Sequence, residues 1–388
     1  MYIIIHDYGG YAFSLQLAET LAQNGHKTLY LHGGQMQIVQ RSKSSSKVST
    51  LDIQGMPLQK SFPKYSLVKR RQQEIYYGRW LVAEAQKFKP DVIISANAPL
   101  DTQNLLLAFA LKEGKTFIHW WQDVVGLATK NILMNKNRLL GWLVGEYYMG
   151  MERAQLYRSQ RVIAIAEEFR PLYRLWGLDE RKFRVLPNWA PLEEIFVLPK
   201  DNSWARKHGL HEKFVFLYSG VLALKHNPAT FTLLADHFRN DPNVIVVVIS
   251  QGPGADWLAE NPRPNLLLFP FQPYEDYPSV LATANVLVAG IEGHAGAYSV
   301  PSKVLTYLCA GRPILLLSPP ENQAARLVCE QCTGLVASPA DIDTFFAHAE
   351  FLHQHPYDCS QFGMNARLYA ENAFDIQRIC AQFLEYIS

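Results

Sequence analysis

The run YSVPSKVLTYLCAGRP, Tyr298 to Pro313, sets Ser302 and Lys303 directly behind a proline and ahead of an apolar helical face made by Val304, Leu305 and Leu308. Proline favours the first helical position and glycine the one just past the last, so this spacing predicts a helix from Pro301 that stops at Gly311. The first-turn amides of Ser302, Lys303 and Val304 then have no helical carbonyl to meet. Macrodipole, amides, hydroxyl and ammonium at one place suit an anion such as a phosphate. Lys303 is the sharper signal, because the dipole disfavours a first-turn cation unless an anion is also present. Ser302 serves equally well as a cap, and Ser299, just ahead of it, is grouped with the same anion-facing residues. A second cation, Lys225, stands between a turn at Gly220 and the pair Asn227-Pro228, which reads as an N-cap followed by a first-position proline. That placement favours phosphate over an ordinary loop lysine. Gly10, in the Gly9-Gly10 loop, either makes a turn or lets the backbone approach a phosphate or sugar.

Such residues need elements to hold them, and the chain reads as alternating strand and helix. YIIIH is a strand, DYGGYAF a glycine turn, and Phe13, Leu17 and Leu21 form a helical stripe closed by Asn24-Gly25 before the strand KTLYL. This βαβ pattern implies a parallel sheet. A serine-rich loop, Arg41 to Thr50, follows, and KPDVIISANAP, KTFIHWWQD, RVIAIAEEF and FRVLPNWAP carry the pattern on. A second set restarts at KFVFLYSG and runs through NVIVVVIS, NLLLFPF, ANVLVAG and PILLLS. The expectation is an α/β chain of two doubly wound, Rossmann-like domains, residues 1–190 and 191–370, facing each other across a cleft. The last helix, 371–388, is expected to cross back to the first domain. In such sheets ligands bind beyond the carboxyl ends of the strands.

Bulk properties narrow the function. At 388 residues, 48% hydrophobic and 19% charged, the chain is long enough for two cores and carries no disordered bias. The net charge of +2 hides an asymmetry: residues 1–190 hold 25 Lys+Arg against 15 Asp+Glu, the remainder 12 against 20. A basic first half fits an anionic partner. The opening MYIIIHDYGG has no basic lead, so no signal peptide is expected, and the longest apolar runs fall short of a membrane span. Five cysteines without a framework fit a reducing cytoplasm, and the lone C-x-x-C of Cys329 and Cys332 lacks the second pair that zinc needs. Neither a G-x-G-x-x-G fingerprint nor a Walker A loop is present, which disfavours nicotinamide and P-loop chemistry.

Three runs, FVFLYSGVLALKHNP, FPFQPYEDYPSVLATANVLVAG and YSVPSKVLTYLCAGRP, resemble the family-4 glycosyltransferases of the GT-B fold. Within that family they look most like bacterial enzymes of surface-polysaccharide and colanic-acid-type biosynthesis. YGGYAFSLQLAETLAQNGH and FIHWWQDVVG are similar to the same group, so the resemblance covers nearly the whole chain. It implies a nucleotide-diphosphate sugar donor, UDP- or GDP-linked, and a sugar or lipid-linked sugar acceptor, with retention at the anomeric carbon. No protein nucleophile is then needed, since the donor phosphate can take the acceptor proton. As the bond breaks, negative charge grows on the leaving diphosphate, where Lys225, the Ser302-Lys303-Val304 amides and the Gly220 turn would converge. No acidic D-x-D pair stands at a strand end, so a metal-free site is preferred.

The resemblance also implies positions for other contacts. Phe271 falls where similar enzymes approach the nucleobase, by stacking or backbone contact, although core packing fits as well. The family's pair of second-half glutamates is replaced by Tyr298 and Thr306. Glu292 is near enough along the chain to supply a hydroxyl contact, and reads equally as a surface glutamate. On the acceptor side Gln122-Asp123 holds the register of a His-Asp pair, with Asn97 beside it. Asp123 can accept a proton or bind a sugar hydroxyl, or cap the following helix; His119, inside the strand, reads as a core histidine. The same fold also serves nucleotide-sugar epimerases, and the missing glutamate pair leaves room for a non-catalytic sugar-nucleotide binder. Two basic, aromatic stretches, PKYSLVKRRQQEIYYGRW and NKNRLLGWLVGEYYMGMERAQLYR, suit the cytoplasmic membrane face, or form an ordinary helical domain face. No RNA-binding motif accompanies them, so no nucleic acid is expected.

Overall fold

The structure, a computed structural model, describes residues 1–33, 48–56, 67–135, 137–222, 227–290 and 302–387. Lys225, Glu292, Ser299, Tyr298 and Pro301 lie outside the described residues, as do 41–47 of the serine-rich loop. The chain divides into two compact units, Met1–Pro187 with Ile376–Ser388, and Asn188–Asp375.

In the first unit β1 (Tyr2–Asp7), α1 (Ala12–Gln23), β2 (Lys27–Gly33) and β3 (Leu51–Met56) precede α2 (Leu67–Phe88). There follow β4 (Val92–Ala96), α3 (Leu100–Lys112), β5 (Thr116–Trp121), α4 (Val125–Met134), α5 (Arg138–Arg158), β6 (Arg161–Ala164), α6 (Phe169–Leu175) and β7 (Phe183–Val185). All pairs are parallel, in the order β3-β2-β1-β4-β5-β6-β7. Ile3, Ile4 and Ile5 are fully buried, as a central strand covered on both faces demands. Helix α1 stops where Asn24 ends it and Gly25 takes φ +84°, a left-handed value that glycine adopts without penalty.

The second unit holds α7 (Ser203–Lys207), β8 (Phe214–Ser219), α8 (Ala229–His237), β9 (Val244–Ile249), α9 (Pro253–Glu260), β10 (Leu266–Phe269) and α10 (Tyr277–Thr283). It continues with β11 (Val286–Gly290), α11 (Ser302–Cys309), β12 (Ile314–Leu317), α12 (Gln323–Glu330), β13 (Gly334–Ala337), α13 (Ile342–Gln354) and α14 (Pro356–Ala373). Its sheet is also parallel, ordered β10-β9-β8-β11-β12-β13.

The terminal α15 (Ile376–Ile387) lies in the first unit. It buries Ile379, Cys380 and Phe383, with the Phe383 ring 5.0 Å from that of Trp120. The Tyr386 hydroxyl donates to the Lys182 carbonyl.

Two details differ from the sequence reading. Asn227 makes no side-chain cap: it takes φ +48°, Pro228 occupies the cap position, and Thr230 N donates to the Asn227 carbonyl at 3.0 Å. The short strands β3 and β13 were not anticipated, since LDIQGM carries a polar alternation and GLVA is only four residues long.

In each sheet the order reverses beside the first strand: β4 lies against β1, and β11 against β8. These are the two switch points, where the strand carboxyl ends open a crevice for ligands.

Candidate functional site

At the second unit's switch point, β8 delivers Ser219 and Gly220, and α11 delivers Lys303. Gly220 holds φ +149°, and a Cβ there would lie 2.0 Å from Lys303 Cε, so the lysine stem crosses the glycine where any side chain would block it. Lys303 Nζ lies 5.2 Å from the centroid of the Tyr218 ring. Among the described residues it makes no hydrogen bond or ion pair, and burial pushes its pKa down. One turn on, the buried Tyr307 hydroxyl accepts from Ser219 N at 3.0 Å and pins α11 to the strand end. Val304, Leu305 and Leu308 form the predicted buried face, and Gly311 at φ +63° ends the helix region. A desolvated ammonium beside first-turn amides that no carbonyl of their own helix can satisfy is what a diphosphate would meet.

Ser302 is exposed at the first position of α11. Its carbonyl accepts from the Thr306 hydroxyl at 3.2 Å, so the residue in place of the family's later glutamate is engaged on its own helix. Phe271 is half-buried, just beyond the end of β10, and is not a core residue. A cavity of about 530 Å³ in this unit, lined by Phe214, Asn285 and Pro313, opens at the amino ends of the strands and is unrelated to the switch point.

The first unit's switch point is organised by Asp7, the last residue of β1. Its buried carboxylate accepts from Gly9 N at 3.0 Å, Tyr11 N at 2.9 Å and the Ser14 hydroxyl. It also accepts from Asn97 Nδ2, beyond β4, at 3.0 Å. Thus Asn97 spans the switch point, with its backbone at φ +51°, and Gly10 at φ +61° turns over the same carboxylate. Burial raises the Asp7 pKa, and the hydrogen bonds oppose that rise. Beneath it the neutral His6 is held by Ser95 Oγ at 2.8 Å and the Tyr77 hydroxyl at 3.1 Å, its pKa pushed down to about 3 by burial.

The carboxyl end of β5 carries Gln122, buried, and Asp123, exposed. Burial and then the charges of Asp7 and Asp123 raise the Tyr11 phenol, so Asp123 belongs to the same electrostatic neighbourhood as the Gly9-Gly10 loop. The first amides of α4 are met by Glu152 of α5, whose carboxylate accepts from Gly126 N at 2.7 Å, Val125 N at 3.2 Å and Trp121 Nε1 at 2.9 Å. Burial raises Glu152 to about 7. His119 is buried with its pKa lowered to about 3, as a core histidine should be.

The structure therefore brings Gly220 and Lys303 together in one unit, and Gly10, Asn97 and the neighbourhood of Asp123 in the other. Sequence reasoning missed Asp7, Tyr307 and Glu152. A carboxylate two residues ahead of a Gly-Gly pair was a usable signal for Asp7; Glu152, inside a long helix, offered none. Among the described residues no three His, Cys, Asp or Glu side chains cluster to hold a metal ion.

Residues 9–194 match the Glycosyltransferase Family 4 model. The chain is 24% identical over 316 residues to WcaI of Escherichia coli (strain K12), named as a colanic acid biosynthesis glycosyl transferase, covering 78% of this chain and 75% of that one. It superposes on Anabaena Alr3699/HepE, solved in complex with UDP and glucose, with a TM-score of 0.72 at 13% identity over 99% and 98% of the two chains. Sucrose-phosphate synthase from Thermosynechococcus elongatus gives 0.74 at 14% identity, again over 99% and 98%. The fold is that of the GT-B glycosyltransferases.

Proposed function

We propose that this GT-B glycosyltransferase, similar to those of family 4, moves a sugar from a nucleotide-diphosphate donor to a hydroxyl of a lipid-linked or polysaccharide-precursor acceptor. The observation that carries the reading is Lys303: a desolvated ammonium laid across Gly220 at a switch point, with no counter-ion among the described residues. The likeness to WcaI and the UDP and glucose bound to HepE support a sugar nucleotide as donor and a surface polysaccharide as destination. UDP is the first candidate and GDP the second.

Lys303 and the first-turn amides of α11 bind the diphosphate and gain strength as its charge grows on bond breaking, which lowers the barrier and not merely the binding energy. Lys225, Ser299 and Ser302 are assigned to the same anion, Phe271 to the nucleobase and Glu292 to a donor hydroxyl. Gly10 offers its turn to the donor, while Asn97 and Gln122 position the acceptor. Asp123 binds the acceptor hydroxyl or takes its proton. Transfer proceeds with retention, the donor phosphate serving as base on the same face, and with charge neutralised by protein groups rather than a metal. The enzyme works as a soluble domain at the inner face of the cell membrane, where a lipid-linked acceptor resides.

The test is incubation with labelled UDP- and GDP-sugars and lipid-diphosphate-linked acceptors. Label moving to the acceptor fraction supports transfer. A changed sugar nucleotide from donor alone would instead mark an epimerase, and binding without turnover a silent partner.

A further inference from the structure

Helices α4 and α5 form a hairpin whose packing is inverted relative to that of helices in water. Two antiparallel helices in a soluble domain normally bury their large apolar side chains against each other. Here the seam is glycine. A Cβ on Gly141 would fall 2.3 Å from Met134 N, and one on Gly145 2.4 Å from Lys130 Cγ, so the backbones approach where no side chain fits. The large residues around that seam point outward: Leu139 is 72% exposed, Ile132 60%, Leu140 58%, Leu143 53% and Trp142 48%. Asn137 caps α5 by accepting from Leu140 N at 3.0 Å, which fixes the turn at the tip.

Small residues at the helix seam with leucines outside is the arrangement that suits lipid as solvent, because there the outward face loses nothing by exposure. The charge pattern agrees. Arg138, Arg153 and Arg158 are exposed and have no acidic partner among the described residues, and the Lys130–Glu146 ion pair lies about one turn from the end of α4 and about two from the start of α5. Residues 1–190 as a whole carry ten more cations than acids, which complements an anionic surface. A ten-residue helix such as α4 rises about 15 Å, roughly half a hydrocarbon core, so the hairpin can enter one leaflet but not cross it. Among the described residues no helix is long and apolar enough to cross.

We propose that the α4–α5 hairpin is a membrane-dipping element that inserts Leu139, Leu140, Trp142 and Leu143 into an anionic lipid leaflet, with the Lys130–Glu146 pair at headgroup depth. This deepens the membrane-face reading above, and its test needs neither donor nor acceptor, so it stands or falls apart from glycosyl transfer. The full chain is floated with vesicles of phosphatidylcholine alone or mixed with phosphatidylglycerol, and Trp142 emission is followed against a Trp142→Phe control. Wild type should float with the anionic vesicles and show a blue shift that the control lacks. The Leu139→Glu/Leu143→Glu variant should lose about tenfold in vesicle affinity, since it removes apolar insertion and adds repulsion. Its melting temperature and far-ultraviolet circular dichroism should be retained, which separates lost insertion from lost folding. Wild type that stays with the soluble fraction, or a double variant that floats equally well, overturns the proposal. So does sedimentation showing that this face instead joins two copies, with the variant monomeric and neither protein bound to lipid.

Discussion

The two switch points of this molecule are built from the same strand order and hold opposite charges. In the first unit the crevice is furnished with an anion of its own: Asp7 gathers Gly9, Tyr11, Ser14 and Asn97 around one buried carboxylate. In the second the strand end supplies a glycine and α11 a cation, and the cation has no anion among the described residues. A buried charge with its hydrogen bonds complete shapes a loop, whereas one left without them awaits a ligand. The contrast supports the proposed placing of the diphosphate at the second unit, since a further phosphate at the first would meet Asp7.

The sharpest way to break this contrast is Lys303→Ala. Loss of the ammonium should cost ~2–5 kcal/mol of transition-state stabilisation, as when one partner of a desolvated charge pair is removed. It is read from kcat/KM. Because burial depresses the Lys303 pKa and a bound diphosphate would restore it, wild-type UDP affinity should fall as pH rises through that pKa. The fall should vanish in the variant. Unchanged turnover would mean that the cation merely packs on Tyr218.

Asp7→Asn tests the other crevice. The amide presents hydrogens to donors that now face a carboxylate, so about 1–3 kcal/mol of stability should be lost from the denaturation midpoint. UDP affinity should stay near wild type. A large loss of UDP binding instead would erase the distinction between the two crevices.

Gly220→Ala is a smaller, steric probe. The methyl would displace the flexible end of Lys303 and add strain at φ +149°, so about 1–3 kcal/mol is expected. The loss should appear in UDP affinity and turnover together. Its double mutant with Lys303→Ala should be less than additive, since both act on one ammonium.

The gentlest prediction concerns Glu152. Its pKa is raised from 4.5 to about 7, so the folded state holds the proton more tightly than the unfolded chain. Its contribution is therefore fully present below the unfolded value and is lost as pH climbs through about 7. Wild-type stability should decline across that window, and Glu152→Gln should flatten the decline.

The fold was legible because both sheets are parallel and buried on both faces, so their strands read as apolar runs such as YIIIH and VIVVVI. The start of α11 was legible for a local reason: a lysine placed against its own helix dipole stands out in a single sequence. Asp7 and Glu152 were not, since their meaning comes from donors that the fold brings to them. Asn97 is bound by Asp7 from ninety residues away, and Glu152 caps a helix that precedes its own. At Asp123 the sequence left an acceptor contact and a helix cap equally open, and the first amides of α4 are met by Glu152 from another helix. The inverted face of α5 was readable only as a mixture of apolar and basic residues; the glycine seam behind it needed the partner helix.

The most direct test of the central claim is a crystal structure of the protein soaked with UDP. The account predicts diphosphate oxygens within hydrogen-bonding reach of Lys303 Nζ and the first amides of α11, over the bare backbone of Gly220. A diphosphate lodged beside Asp7, or anywhere that leaves Lys303 without it, would contradict the account.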